Sequence, residues 1–133
     1  MLRIRTLDEI ESFNQSIDHQ GQLGLVPTMG ALHEGHFRLI EQSLKRNSFT
    51  IASIFVNPLQ FNQKDDFDKY PSTIEEDLDA LEKLGCDAAF VPHVDVMYPK
   101  KPSIEIHFGN LESHLEGKYR PGHFQGVGIV ISK

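Results

Sequence analysis

Two histidines three positions apart, His33 and His36, flank Gly35 shortly after an apolar run, Leu23-Gly-Leu-Val26, that breaks at Pro27. From Phe37 the apolar residues Phe37, Leu39, Ile40 and Leu44 fit a helix better than a strand. A strand, a glycine-containing turn and a helix start suit nucleotide chemistry, because the free N–H groups and positive dipole end of a first helical turn meet a phosphate. Two imidazoles there add hydrogen bonds to phosphate oxygens, more strongly when protonated. The spacing alone equally fits a solvent-facing pair, a structural pair or a poor zinc site. Zinc is the weakest of these, since Cys86 is far away in sequence and no third ligand stands beside the pair.

Three further places carry chemistry-bearing residues. Asn57 and Gln60 follow a second apolar run, and their amides can grip a carboxylate or hydroxyl without adding charge. The competing reading makes Asn57-Pro58 a turn with Phe61 packed on the sheet. Tyr70, before Pro71, either borders a ligand or packs. A glycine-rich loop carrying Glu116, Lys118, Arg120 and His123 can place positive charge over a phosphate-bearing ligand, with His123 near a second helix start. Residues 65–82 hold eight acidic side chains against Lys69 alone, which reads as a solvated face rather than a metal cage.

The elements that must position these residues are legible from periodicity. Leu2 and Ile4 fit a short strand or an extended lead-in. Thr6 and Glu9 form a capping box for a helix with Leu7, Ile10, Phe13 and Ile17 on one face, ended by Gly21. A helix over 35–46 is expected to turn Leu39 and Ile40 inward. Thr50–Val56 reads as a strand buried on both faces, so strand, helix and strand make a βαβ unit with a right-handed crossover. Thr73 and Glu76 suggest another capping box, followed by an Ile74, Leu78, Leu81, Leu84 stripe that Gly85 closes. Asp87–Val91 is a third core strand, Val94–Tyr98 an ordered irregular connection, and Ile104–Phe108 an alternating, half-exposed strand with His107 on its face. Phe124, Val127, Val130 and Ile131 recur at helical spacing, although Gly126 and Gly128 argue against a helix. The fold class is α/β, a Rossmann-like nucleotide-binding parallel sheet with flanking helices, whose active site belongs beyond the C-terminal strand ends.

The composition, 39% hydrophobic and 24% charged, is that of an ordinary globular chain, and 133 residues suffice for one core. A net charge of -6 without an extended basic cluster argues against nucleic acid as a partner. A single cysteine excludes an internal disulfide framework, and no apolar stretch approaches membrane-spanning length or a signal-peptide pattern. Cytoplasmic residence and no membrane partner are the resulting expectations. On residues alone, a nucleotidyltransferase of related fold and a non-catalytic nucleotide-binding module both remain open.

Four segments, in order, narrow the choice: Pro27-Thr-Met-Gly-Ala-Leu-His-Glu-Gly-His36, Phe55-Val-Asn-Pro-Leu-Gln-Phe61, Glu75-Glu-Asp-Leu78 after Tyr70-Pro71, and Leu115-Glu-Gly-Lys-Tyr-Arg-Pro-Gly-His-Phe-Gln-Gly-Val127. Together they resemble the N-terminal part of the pantothenate synthetase (pantoate–beta-alanine ligase) family, across essentially the whole chain. The resemblance implies ATP-dependent condensation of pantoate and beta-alanine through pantoyl adenylate, with Mg2+ accompanying ATP and a homodimer at full length. It implies that His33 and His36 contact ATP and serve catalysis, that the Met29 backbone lies against the reacting centre, and that Gln60 holds pantoate. Asn57 would belong to the phosphate and metal environment, Tyr70 would border the site, Glu116 would brace it, and Arg120 and His123 would lie near the phosphates. No residue is assigned as a metal ligand. Ser72 replaces an arginine common in the family. The pattern also breaks off in mid-helix at Lys133, so the expectation is a partial domain over 1–133, lacking the rest of that domain and a C-terminal one, with little activity alone.

Overall fold

A computed structural model describes residues 1–17, 21–62, 67, 69–71, 73–114 and 116–133, with Glu116 described by its backbone alone. The expectations for Ser72, for the Glu116 side chain and for Asp65, Asp66 and Asp68 of the acidic tract lie outside the described residues. The chain forms two compact units, one of Met1–Phe55 and Pro71–Val96, the other of Val56–Tyr70 and Met97–Lys133.

The first unit is a four-stranded parallel sheet of order β1-β4-β3-β2, from β1 (Leu2–Ile4), β2 (Leu23–Thr28), β3 (Phe49–Ile54) and β4 (Ala88–Phe90). Three helices accompany it: α1 (Leu7–Ser16), α2 (Glu34–Arg46) and α3 (Ile74–Leu84). The parallel α/β class expected from the sequence is the one found. β2 runs on through Pro27, which its place at the sheet edge permits, because an edge residue needs no ladder N–H on its outer side. Val26, Ala52, Ile54 and Ala89 of the sheet pack with Ile40 of α2 and Leu78 and Leu81 of α3.

The Thr6–Glu9 capping box forms, the Glu9 amide donating to Thr6 Oγ1 at 3.2 Å and the Thr6 amide to Glu9 Oε2 at 2.9 Å. That carboxylate accepts from two backbone amides, which holds its pKa below the usual range. α1 ends at Ser16, before the expected Gly21. Three other expectations need correction. Leu39 is 57% exposed while Ile40 is fully buried, because adjacent helical positions lie about 100° apart and only one faces the sheet. Thr73 precedes α3 without a side-chain cap; its hydroxyl donates instead to Asp77 at 3.1 Å. Asp77 is itself buried rather than part of a solvated face. The outer face of α3 is solvated, and Glu75, Asp79 and Glu82 there surround Arg3 at 3.2–3.9 Å.

The second unit contains a 3-10 turn, Pro58–Gln60, another at Gly109–Ser113, the short helix α5 (Glu116–Tyr119) and α6 (His123–Ile131). Val94–Met97, at the join of the two units, is one helical turn, α4, where irregular chain was expected. Ile104–Phe108 is not a strand: its alternation records Ile106 and Phe108 packing beside Gly128 of α6, not a sheet ladder. His107 is exposed, 3.5 Å from Glu105 and 3.8 Å from Glu112. α6 forms despite its glycines, and Gly126 explains why they are there. A Cβ at 126 would overlap the Leu59 carbonyl, so only glycine lets this helix lie against the Pro58–Gln60 turn.

Candidate functional site

In the sheet unit, β2 ends at Thr28, whose hydroxyl donates to the Ser53 carbonyl at 2.8 Å and accepts from the Gly30 amide at 3.2 Å. The loop that follows contains half-buried Met29, then Gly30 at φ 82° and Ala31 at φ 50°. Left-handed backbone suits glycine but strains alanine, so something must hold Ala31 there. Asp77, 4% exposed, supplies it: Oδ2 accepts from the Ala31 amide at 2.9 Å and Oδ1 from the Leu32 amide at 2.8 Å. One carboxylate on α3 therefore fixes the turn that leads into α2.

α2 opens with a capping box made of the two histidines. His33 is the N-cap, its Nδ1 accepting from the Gly35 amide at 3.1 Å, while His36 Nδ1 accepts from the His33 amide at 3.3 Å. The rings stand 4.1 Å apart between centroids and are inclined at 47°. A ring nitrogen that accepts carries no proton, so both imidazoles are Nε2–H tautomers when neutral. Burial, then the neighbouring His33, lowers the His36 pKa; Asp77 acts in the opposite direction. The pair thus offers two Nε2–H donors at the N-terminal end of a 13-residue helix, an arrangement suited to phosphate oxygens.

In the second unit Asn57 caps the Pro58–Gln60 turn and is 0% exposed. Its Oδ1 accepts from the Leu59 amide at 3.2 Å and the Tyr98 hydroxyl at 2.9 Å. Its Nδ2 donates to Gln60 Oε1 at 2.9 Å and the Gly126 carbonyl at 3.0 Å. Asn57 is therefore a buried brace for Gln60, not an amide presented to a ligand. Gln60 is half-buried, and His123, the first residue of α6, stands with Nδ1 3.3 Å from the Gln60 carbonyl. Tyr70 packs edge-on against Phe61 at 5.7 Å, and Phe61 likewise against Phe67 at 5.6 Å. Arg120 is half-buried in the turn before α6, its carbonyl accepting from the His123 amide at 3.0 Å.

The structure thus brings together His33 with His36 in one unit, and Asn57, Gln60 and His123 in the other. Sequence reasoning missed Asp77, Tyr98 and Gly126. Asp77 lies three residues after Ile74 and four before Leu81, so it is an acid on the apolar stripe, a signal that it is buried and partnered. Tyr98 and Gly126 act through contacts distant in sequence that no local pattern reports. No group of three or more His, Cys, Asp or Glu side chains suited to a metal occurs among the described residues, and both Asp77 oxygens are engaged by backbone amides. No described helix is long and apolar enough to cross a membrane.

A family profile described as Pantoate-beta-alanine ligase matches residues 3–133. Pantothenate synthetase of Oceanobacillus iheyensis is 48% identical over 132 residues, 98% of this chain and 47% of that protein. The enzyme of Pseudothermotoga lettingae is 42% identical over 133 residues, 100% of this chain and 47% of that protein. Among solved structures, pantothenate synthetase from Thermus thermophilus superposes with TM-score 0.89 at 41% identity, covering 99% of this chain and 47% of its own. Pantoate-beta-alanine ligase from Francisella tularensis, complexed with beta-gamma ATP and beta-alanine, gives TM-score 0.94 at 38% identity, covering 99% of this chain and 51% of its own. The chain spans about half the length of the relatives it matches.

Proposed function

The chain belongs to the pantoate-beta-alanine ligase family, and from that membership we propose that it supplies ATP- and pantoate-binding groups for the synthesis of pantothenate. The observation that carries the reading is the double-histidine cap of α2, which fixes both rings with Nε2–H donors available to phosphate. In the first step a pantoate carboxylate oxygen attacks the α-phosphorus of ATP, the bond to the bridging oxygen breaks, and pyrophosphate leaves. His33 and His36 donate to the phosphate oxygens as charge shifts onto them, and Met29 places its backbone beside the reacting group. Gln60 holds pantoate, Asn57 holds Gln60, and Arg120 and His123 contribute donors for the phosphates. Tyr70, packed against Phe61, borders the pantoate. In the second step the neutral amine of beta-alanine attacks the acyl carbon, AMP leaves, and the amine loses a proton. No protein nucleophile is needed, because pantoate supplies the attacking oxygen.

Magnesium accompanying ATP would neutralise phosphate charge and favour the departure of pyrophosphate. The Francisella tularensis relative, crystallised with beta-gamma ATP and beta-alanine, supports the same ligand classes here. The test is pantoate-dependent exchange of labelled pyrophosphate into ATP, run on the complete gene product with Mg2+. Exchange that requires pantoate is expected. A folded protein that binds ATP but does not exchange would overturn the reading in favour of a nucleotide-binding module, and adenylyl transfer to a phosphate-bearing acceptor would point to a nucleotidyltransferase.

A further inference from the structure

The side-chain amides of Asn57 and Gln60 are oriented by the groups around them, backbone first. Oδ1 of Asn57 faces the Leu59 amide, which only donates, and Nδ2 faces the Gly126 carbonyl, which only accepts. Rotating the Asn57 amide by half a turn would set N–H against N–H and oxygen against oxygen in a fully buried place. The Tyr98 hydroxyl, 2.9 Å from Oδ1, must therefore be the donor there. Burial raises the Tyr98 pKa, which keeps that proton in place. The second hydrogen on Asn57 Nδ2 points to the Gln60 amide at 2.9 Å, so the atom facing it must be Oε1. Nε2 of Gln60 is left with its N–H donors and no protein acceptor among the described residues.

We propose that Tyr98 is a positioning residue which, through Asn57, holds Gln60 with its N–H donors toward substrate, so that Gln60 reads a hydrogen-bond acceptor. The ligand class that follows is an anionic carboxylate or a hydroxyl oxygen, and an ammonium or amine donor is excluded from that position. This rests on the assignment of Gln60 to pantoate and deepens it: the direction of the amide dipole sets which kind of substrate atom, an acceptor oxygen, can face it. Without the Tyr98 hydroxyl, Asn57 Oδ1 keeps one of its two donors, and the orientation of both amides is held less firmly.

The test uses the complete gene product, with pantoate and ATP varied separately in the exchange assay. Tyr98→Phe is expected to raise the KM for pantoate about five- to tenfold, the scale of one hydrogen bond, with the KM for ATP unchanged. Gln60→Glu keeps the shape and still accepts from Asn57, but it turns an oxygen toward the substrate. It is expected to raise the KM for pantoate roughly 100-fold, the scale of a charge-assisted hydrogen bond lost and an anion opposed. A folded Tyr98→Phe with unchanged KM for pantoate, or with both KM values raised alike, overturns the positioning role. If Tyr98→Phe fails to fold, Gln60→Glu decides, and a pantoate KM within threefold of wild type overturns it. A wild-type protein without pantoate-dependent exchange overturns the pantoate assignment itself, a result distinct from either.

Discussion

At the scale of single residues, the histidine pair shows what spacing does and does not reveal. His-x-x-His after a strand located the start of α2, but not that each ring accepts a backbone amide and so has its tautomer chosen by the cap. The setting of His36 also gives a pH dependence. Burial and His33 make His36 bind its proton more weakly folded than unfolded. Its contribution to stability is therefore complete above the ordinary imidazole value of about 6.5 and is lost as pH falls through the lowered value. Urea midpoints should accordingly drop more steeply below pH 6.5 or so in wild type than in His36→Ala, and NMR titration should place His36 below the ordinary imidazole value. Asp77 was hidden for a different reason: its partners, Ala31 and Leu32, lie on another element. Asp77→Asn keeps the size but sets an NH2 group against one of two backbone amides. The expected loss is about 1.5–3 kcal/mol in chemical denaturation, with a weakened use of ATP.

Elements with local causes were the legible ones. The Thr6–Glu9 box and the alternating apolar stripes were sufficient to place α1, α2 and α3, since caps and amphipathic faces are written within a few residues. Ile104–Phe108 misled because alternation reports only one-sided contact, and here the contact is a helix. α6 presents the opposite case, a helix weakened by Gly126 for the sake of a close approach. Gly126→Ala should gain about 1 kcal/mol in helix propensity and lose more, about 1–3 kcal/mol, by forcing α6 off the Leu59 carbonyl. Thermal unfolding would show a lower midpoint, and a rise would mean that α6 tolerates displacement.

For the molecule as a whole, the parallel α/β class followed from β-branched and apolar runs alternating with amphipathic helices, and the family from four ordered motifs. The order of strands was not legible, because pairing partners are chosen by long-range packing. That order has a consequence for how the protein comes into being. β1 leaves the ribosome before the other strands of its sheet, yet Leu2 pairs with Ala88 and Ile4 with Phe90, on a strand made near the end of the sheet unit. At roughly 5–20 residues per second, Ile4 waits on the order of 4 to 17 seconds for its partner. During synthesis the side chain that is fully buried at the end is an apolar hook exposed to chaperones and to other nascent chains.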